Sequence, residues 1–517
     1  MVKVPFVLFL VAGILLGSQL AHSAQKNFNL IEATVAEVHA ALLSGAITCE
    51  QMTRDYINRI QVYDQSTGLN SIIMINPEAL LRARELDEEI ARSPRLKPLH
   101  CVPLIVKDNY NTRGLQTTAG SKAMSGFIPD KDATMVARLK EAGALVLAKS
   151  NMAEWAFSPR VTISSVIGET RNPYNLDHVP AGSSGGTAAA IAANLGLIGL
   201  GTDTGNSIRG PSSHNALVGI RSTLGLTSRS GIVPLYFRND VGGPMARTVT
   251  DAVRVLQVIS GPDPLDPLTA YSEGKVQPDL PGLLNKGALQ GKRIGVLRHL
   301  SEREHDPKIA NLFTESLKDL QRLGATIIDP VEVPGFDEIS ANHWCRMFKH
   351  DLNAFLNDNA GRAPVKDLQE IIDSGLFSNY IAEDLLAMQA VDDPTNRGQK
   401  CQDHMHDKRR ITFREAIVQA MDKMRVTAIV YPSWNFPPAR IGYPEEYKGD
   451  NSQVIAPHTG LPAVTVPMGY VNGMPAGLQF VGRLFSEPDL LPLVYAYEQG
   501  TLHRKSPAGF DELDGKE

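Results

Sequence analysis

The chain has 517 residues, of which 43% are hydrophobic and 21% charged, and its formal net charge is −5. That length can bury a large core and could hold two or more domains, and the composition is that of an ordinary globular protein. The basic field that nucleic-acid binding requires is missing, so nucleic acid is excluded as a partner.

In chain order the first feature is a leader. Lys3 supplies a positive start, Val4 to Leu16 is almost wholly apolar, and the small residues Ala21, Ser23 and Ala24 follow. Residues 1–24 therefore read as a secretory signal peptide cut after Ser23 or Ala24. A retained anchor is the alternative, but the run falls short of the ~18 apolar residues that a span needs. The expected location is the periplasm or the medium, with no stable membrane span after cleavage.

Residues 28–65 read as helical, with Leu30, Val35, Val38 and Leu42 at helical spacing and a second amphipathic run from Cys49 to Val62. A further helix is expected over 79–91. The pattern then changes to a short β-type run, Val102 to Val106, followed by a helix over 133–142 and a buried strand over 144–148. Residues 187–195 are alanine-rich and favour helix, and 195–200 are apolar. Strands over 293–297, 326–328, 427–430, 463–466 and 477–481, with a helix over 309–323, continue the alternation. Such alternation implies layered α/β packing around a largely buried sheet. Residues 335–410 are more polar and helix-prone, and read as a helical insertion bordering a cleft. With no linker or repeat to divide it, 25–517 is expected to be a single domain.

Four cysteines, Cys49, Cys101, Cys345 and Cys401, are too scattered for a disulfide scaffold or a Cys-x-x-Cys metal site. Export permits one or two bridges without fixing the pairs. Cys401, His404 and His406 lack partners at metal-ligand spacing, so no metal site is expected.

Three residues carry the chemistry. Lys107 ends the apolar run Val102-Pro103-Leu104-Ile105-Val106. Ser183 lies in Ala181-Gly182-Ser183-Ser184-Gly185-Gly186, and Ser207 in Asp203-Thr204-Gly205-Asn206-Ser207-Ile208-Arg209. A serine hydroxyl becomes a competent nucleophile only when a neighbouring base removes its proton. A lysine can be that base if burial lowers its pKa from the usual ~10.4. A Ser-His-Asp triad is the rival, with His214 the nearest histidine, but the Gly-x-Ser-x-Gly elbow is absent. A phosphate loop lacks its Gly-x-x-x-x-Gly-Lys-Ser/Thr pattern.

With these motifs, and with Lys149-Ser150-Asn151-Met152-Ala153-Glu154, Gly243-Pro244-Met245-Ala246-Arg247-Thr248 and Gly460-Leu461-Pro462-Ala463, the chain resembles the amidase signature hydrolases. The resemblance is strongest over 100–265 and weakest over 270–420. It implies an α/β fold with a mixed central β-sheet flanked by helices. It also implies Ser207 as nucleophile, Ser183 as bridging serine after a cis Gly182–Ser183 bond, and Lys107 as base. Backbone N–H groups of Thr204, Gly205, Asn206 and Ser207 would form the oxyanion hole. Ser184, Asp203 and Arg209 would support the loop; Trp155 and Phe157, with Trp344 and Trp434 as further candidates, are read as lining the substrate pocket or, equally, as belonging to the core or a lid. The implied reaction is hydrolysis of a small-molecule carboxylic amide to acid plus ammonia or amine, with esterase activity on the side, no cofactor, and a monomer or homodimer. Two alternatives are an amidotransferase subunit that releases ammonia from glutamine, and a non-catalytic binding protein on the same scaffold.

One departure stands out. The family usually has glycine before the nucleophile, where this chain has Asn206. Asparagine reaches φ > 0 at modest cost, so the loop is expected to keep its shape. Gly210-Pro211-Ser212-Ser213-His214 also differs from the smaller residues usual there.

Overall fold

The computed structural model describes residues 1–2, 28–341, 343–391, 401–402 and 404–513. The leader, from residue 3 onward, lies outside the described residues. Among the described residues no helix is long and apolar enough to cross a membrane.

The first three strands are β1 (Ile72–Ile75), β2 (Pro103–Lys107) and β3 (Leu145–Ser150). A small antiparallel hairpin follows, β4 (Ile163–Ser164) with β5 (Gly168–Glu169). Then come β6 (Ile198–Asp203), β7 (Val218–Arg221), β8 (Val241–Ala246), β9 (Arg293–Val296) and β10 (Thr326–Ile328). The last three are β11 (Ala428–Pro432), β12 (Ala463–Val471) and β13 (Met474–Val481). All but the hairpin form one 11-stranded sheet in the order β1-β3-β2-β6-β8-β7-β12-β13-β11-β9-β10. Its middle is antiparallel, while β3-β2-β6 on one flank and β11-β9-β10 on the other are parallel. The α/β expectation with a mixed, buried sheet therefore holds. Residues 28–65 resolve into two helices, Val35–Ser44 and Cys49–Tyr63, each opened by a threonine side chain that accepts a backbone N–H.

Five strands escape the periodicity: β1, the two-residue hairpin strands β4 and β5, and β7 and β8. β1 is only four residues long, and β7 and β8 carry glycines and a proline (Val241-Gly242-Gly243-Pro244-Met245-Ala246) that mask their burial. β7 and β8 sit mid-sheet, and close neighbours leave no room for side chains at the β8 glycines. A Cβ at Gly243 would overlap the Ile220 carbonyl, and one at Gly242 the Tyr110 hydroxyl.

The parallel pair β2 and β6 positions the site. Val106 lies beside Leu200, so both strands deliver their carboxyl ends, Lys107 and Thr202-Asp203, to one rim. The alanine-rich helix Gly185–Ala192 is wholly buried and covers β6. It begins two residues earlier than the alanine run suggests. Cβ atoms at Gly185 and Gly186 would overlap the Thr162 side chain and the Asn151 carbonyl, so glycine lets the turn press against its surroundings.

The expected insertion is helical, with Phe336–Ser340, Phe348–Asp358, Leu368–Ser374 and Ala382–Gln389. Phe348, Leu352, Leu368, Ile371 and Leu385 join Trp155, Phe127 and Met152 in an apolar cluster separate from the main core. The cysteines, whose pairing the sequence leaves open, form two bridges, Cys49–Cys101 and Cys345–Cys401. Cys401 is thus a disulfide sulfur rather than a metal thiolate.

Candidate active site

Lys107 is fully buried at the end of β2, with Nζ 2.7 Å from Ser183 Oγ and 2.8 Å from Thr202 Oγ1. Asn109 Nδ2 donates to the same threonine oxygen at 3.0 Å. Burial drives the lysine pKa down to about 7, and Asp240 and Asp203 only partly restore it. The second lysine of the region, Lys149, instead faces Asp108 at 3.3 Å and donates to the Tyr110 carbonyl. An ion pair leaves it no free lone pair, whereas Lys107 has hydroxyl partners and no carboxylate in contact.

Ser183 follows a cis peptide bond from Gly182. Gly182 presses on the Val161 and Ser158 carbonyls, where a Cβ would not fit. Ser184 Oγ donates to the Thr202 carbonyl, tying this loop to β6.

The Ser207 loop hangs from Asp203. Arg209 Nε and Nη2 donate to its two carboxylate oxygens at 3.0 and 3.1 Å, and Arg221 Nη1 reaches Oδ1 at 2.9 Å. Burial pushes the Asp203 carboxyl up, but the two guanidiniums outweigh it and hold the pKa at about 2. The Ile208 and Arg209 N–H groups also donate to Asp203, and Arg209 Nη2 donates to the Gly205 carbonyl at 2.7 Å. Thr204 Oγ1 is fixed by Asp240 at 2.5 Å. Among the described residues, the backbone N–H groups of Thr204, Gly205, Asn206 and Ser207 donate to no protein acceptor. Backbone donors left free beside the nucleophile are the kind of group that can stabilise a developing oxyanion.

Ser207 is 95% buried, its 5% exposure opening onto the cleft. Its Oγ donates to Asn206 Oδ1 at 3.3 Å and makes no hydrogen bond to Ser183. The chain of contacts is made from Lys107 to Ser183 and open between the two serines. Asn206 Nδ2 donates to the Pro159 carbonyl, which also accepts the Gly182 N–H. The expected role of asparagine as a φ > 0 residue is not met, because Asn206 is not among the residues with positive φ. Its side chain needs room rather than an unusual backbone, and Gly210 supplies it: a Cβ there would lie 2.6 Å from Asn206 Nδ2.

The cleft above Ser207 is lined by Phe157, Leu235, Tyr236, Trp344, Asp384, Met388 and Gln453, with Thr204, Gly205 and Asn206 at its floor. Phe157 and Trp344 line it as expected, Trp344 packing so close over Gly205 that a Cβ there would meet its ring at 2.9 Å. Trp155 does not line it. Positive φ at Trp155 and Ala156 turns the chain, and the indole is buried near Phe348 in the insertion cluster. Trp434 is also buried, with its ring 4.5 Å from His214. His214 is enclosed, its pKa driven down to about 3 by burial, and it makes no hydrogen bond to Ser207. Thr202, Asn109, Asp240 and Arg221 were not singled out in the sequence. Thr202 had one available signal, its position one residue before Asp203 on the strand neighbouring Lys107.

A sequence profile of the Amidase family matches residues 51–491. The chain belongs to the amidase family. An Arabidopsis thaliana protein described as a probable amidase is 34% identical, over 93% of this chain and 92% of that one. The A subunit of glutamyl-tRNA(Gln) amidotransferase from Symbiobacterium thermophilum is 31% identical, over 93% and 100%. The structure of a peptide amidase from Stenotrophomonas maltophilia superposes with a TM-score of 0.82 at 36% identity, covering 93% of this chain and 99% of that one. This amidase is accordingly an amide-hydrolysing enzyme, built on the mixed sheet that those relatives share.

Proposed function

We propose that Ser207 attacks the amide carbonyl, that Ser183 relays its proton, and that Lys107 receives it. The carrying observation is a lysine sealed in the core, with a pKa near 7, 2.7 Å from the first serine. Thr202 Oγ1 accepts from both Lys107 and Asn109, which directs one lysine N–H away and leaves the neutral amine's lone pair for the Ser183 proton. For the relay to close, Ser207 Oγ must exchange its hydrogen bond to Asn206 Oδ1 for one to Ser183. Contacts of this kind commonly tighten only when substrate is bound.

As Ser207 Oγ bonds to the carbonyl carbon, its proton passes to Ser183 Oγ while the Ser183 proton passes to Lys107 Nζ. The carbonyl oxygen takes the negative charge under the N–H groups of residues 204–207. Collapse breaks the C–N bond, the proton returns through the relay to the leaving nitrogen, and an ester on Ser207 remains. Water then repeats the sequence and releases the acid. The same steps cleave an ester, which accounts for the expected side activity.

The substrates are proposed to be amino-acid or short peptide amides, a reading supported by the peptide amidase likeness and by a cleft with apolar walls and a polar floor. The enzyme acts without a partner subunit, which the lack of basic character for a tRNA ligand supports. Export is supported by the leader sequence and by two disulfides, bonds that persist in oxidising compartments.

The purified chain alone should release ammonia from a panel of amino-acid amides. Ser207→Ala should lower that rate by at least about a thousandfold. Full activity in the variant, or ammonia release only after a second protein is added, contradicts the proposal.

A further inference from the structure

We propose that this cleft selects amides that also carry a positive charge, received between the Asp384 carboxylate and the rings of Tyr236 and Trp344. The inference rests on the catalytic reading above and adds the substrate class.

Among the described residues, Asp384 is the one acidic or basic side chain on the lining. Asp384 and Met388 stand one turn apart on the helix Ala382–Gln389, so they share a face. Met388 Sδ is 3.8 Å from the Tyr236 hydroxyl, which fixes that face toward the cleft. Leu385, fully buried beneath, anchors the helix to the insertion cluster.

Three other acids of the region are engaged by the protein, whereas, among the described residues, Glu383, next to Asp384 on the same helix, is not. Asp351 accepts the Phe237 N–H, Asp407 pairs with Arg238, and Glu154 accepts from Ser165 and Ser378. Asp384 has no hydrogen-bond or ion-pair partner among the described residues. Its charged neighbours are Glu383 and Arg346, and the Arg346 guanidinium also acts on Tyr236. Burial raises its carboxyl and Glu383 adds to that, a cost that a bound cation relieves.

On the same cleft lining, Tyr236 and Trp344 stand with ring centroids 6.3 Å apart, tilted by 54°. Trp344 is 42% exposed, an unusual cost for an indole unless something covers it. An aromatic pair beside an unpaired carboxylate is a receptor for an ammonium or guanidinium. Both the ring faces and the exposed ion pair make modest contributions, so a preference of several-fold is the effect to expect.

The test compares kcat/KM for N-acetyl-lysinamide, N-acetyl-argininamide and the uncharged N-acetyl-norleucinamide. The wild type should favour the cationic pair by about three- to tenfold, and the preference should shrink as ionic strength rises. Asp384→Asn should bring the ratio close to one, and Asp384→Lys should invert it. No preference in the wild type overturns the inference, as does a preference that survives Asp384→Asn or an equal loss on all three amides. Failure to hydrolyse any of the three, with Ser207 unlabelled by a fluorophosphonate, would instead sink the catalytic reading beneath it.

Discussion

Asn206 holds the Ser207 hydroxyl on one side and the Pro159 carbonyl on the other, so it competes with Ser183 for the nucleophile's proton. A neutral hydrogen bond contributes about 1 kcal/mol net. Asn206→Gly should therefore raise the rate of fluorophosphonate labelling of Ser207 by about three- to fivefold. Asn206→Asp keeps the acceptor but puts a negative charge beside the oxyanion donors, and should lower that rate by more than about tenfold. Labelling time courses followed by intact-protein mass spectrometry distinguish the two. The sequence placed Lys107, Ser183 and Ser207 and named Asn206 as unusual. It did not show that the unusual feature is a side-chain contact, because that depends on the space left by Gly210 and on where Pro159 falls.

The elements bordering the cleft come from distant parts of the chain. The helix Phe348–Asp358 meets Phe157 through Phe348, with ring centroids 4.6 Å apart, and accepts the Phe237 N–H through Asp351 at 3.0 Å. It therefore braces both aromatic walls. Phe348→Ala removes a fully buried ring, at a cost of typically 3–5 kcal/mol. KM for a peptide amide should rise more than kcat falls, since the relay on β2 and β6 is untouched; steady-state kinetics on the wild type and the variant read this split. Strands with plain apolar runs, such as β2 and β3, were legible. β7 and β8 were not, because their glycines serve close backbone approach and leave no alternation to read. The choice between a pocket and a core role for Trp155 stayed open in the sequence for a related reason. Two successive positive φ values reverse which side chain faces the cleft, and nothing in its sequence neighbourhood signals them.

Across the whole molecule, one sheet joins the two serine loops to the C-terminal strands, and two disulfides each tie together segments more than 50 residues apart in sequence. The Cys49–Cys101 bond joins the N-terminal helices to the approach to β2, and Cys345–Cys401 lies beside Trp344 at the cleft. The denatured protein should show no titratable thiol without reductant and four with it; thiols before reduction would argue against the pairing. The α/β class was readable because buried strands and helices alternate over most of the chain, while the strand order of the sheet and the pairing of cysteines depend on contacts that spacing does not encode. The central claim is that a neutral Lys107 draws a proton through Ser183 from Ser207. Its most direct test is the pH dependence of fluorophosphonate labelling in the wild type and in Lys107→Met. A lysine with a lowered pKa is inactive as a base while protonated, so the wild-type rate should climb about tenfold per pH unit below pH 7 and level off above it. Lys107→Met should label far more slowly and lose that inflection. A wild-type rate that is flat through pH 7, or an inflection kept in the variant, would contradict the account.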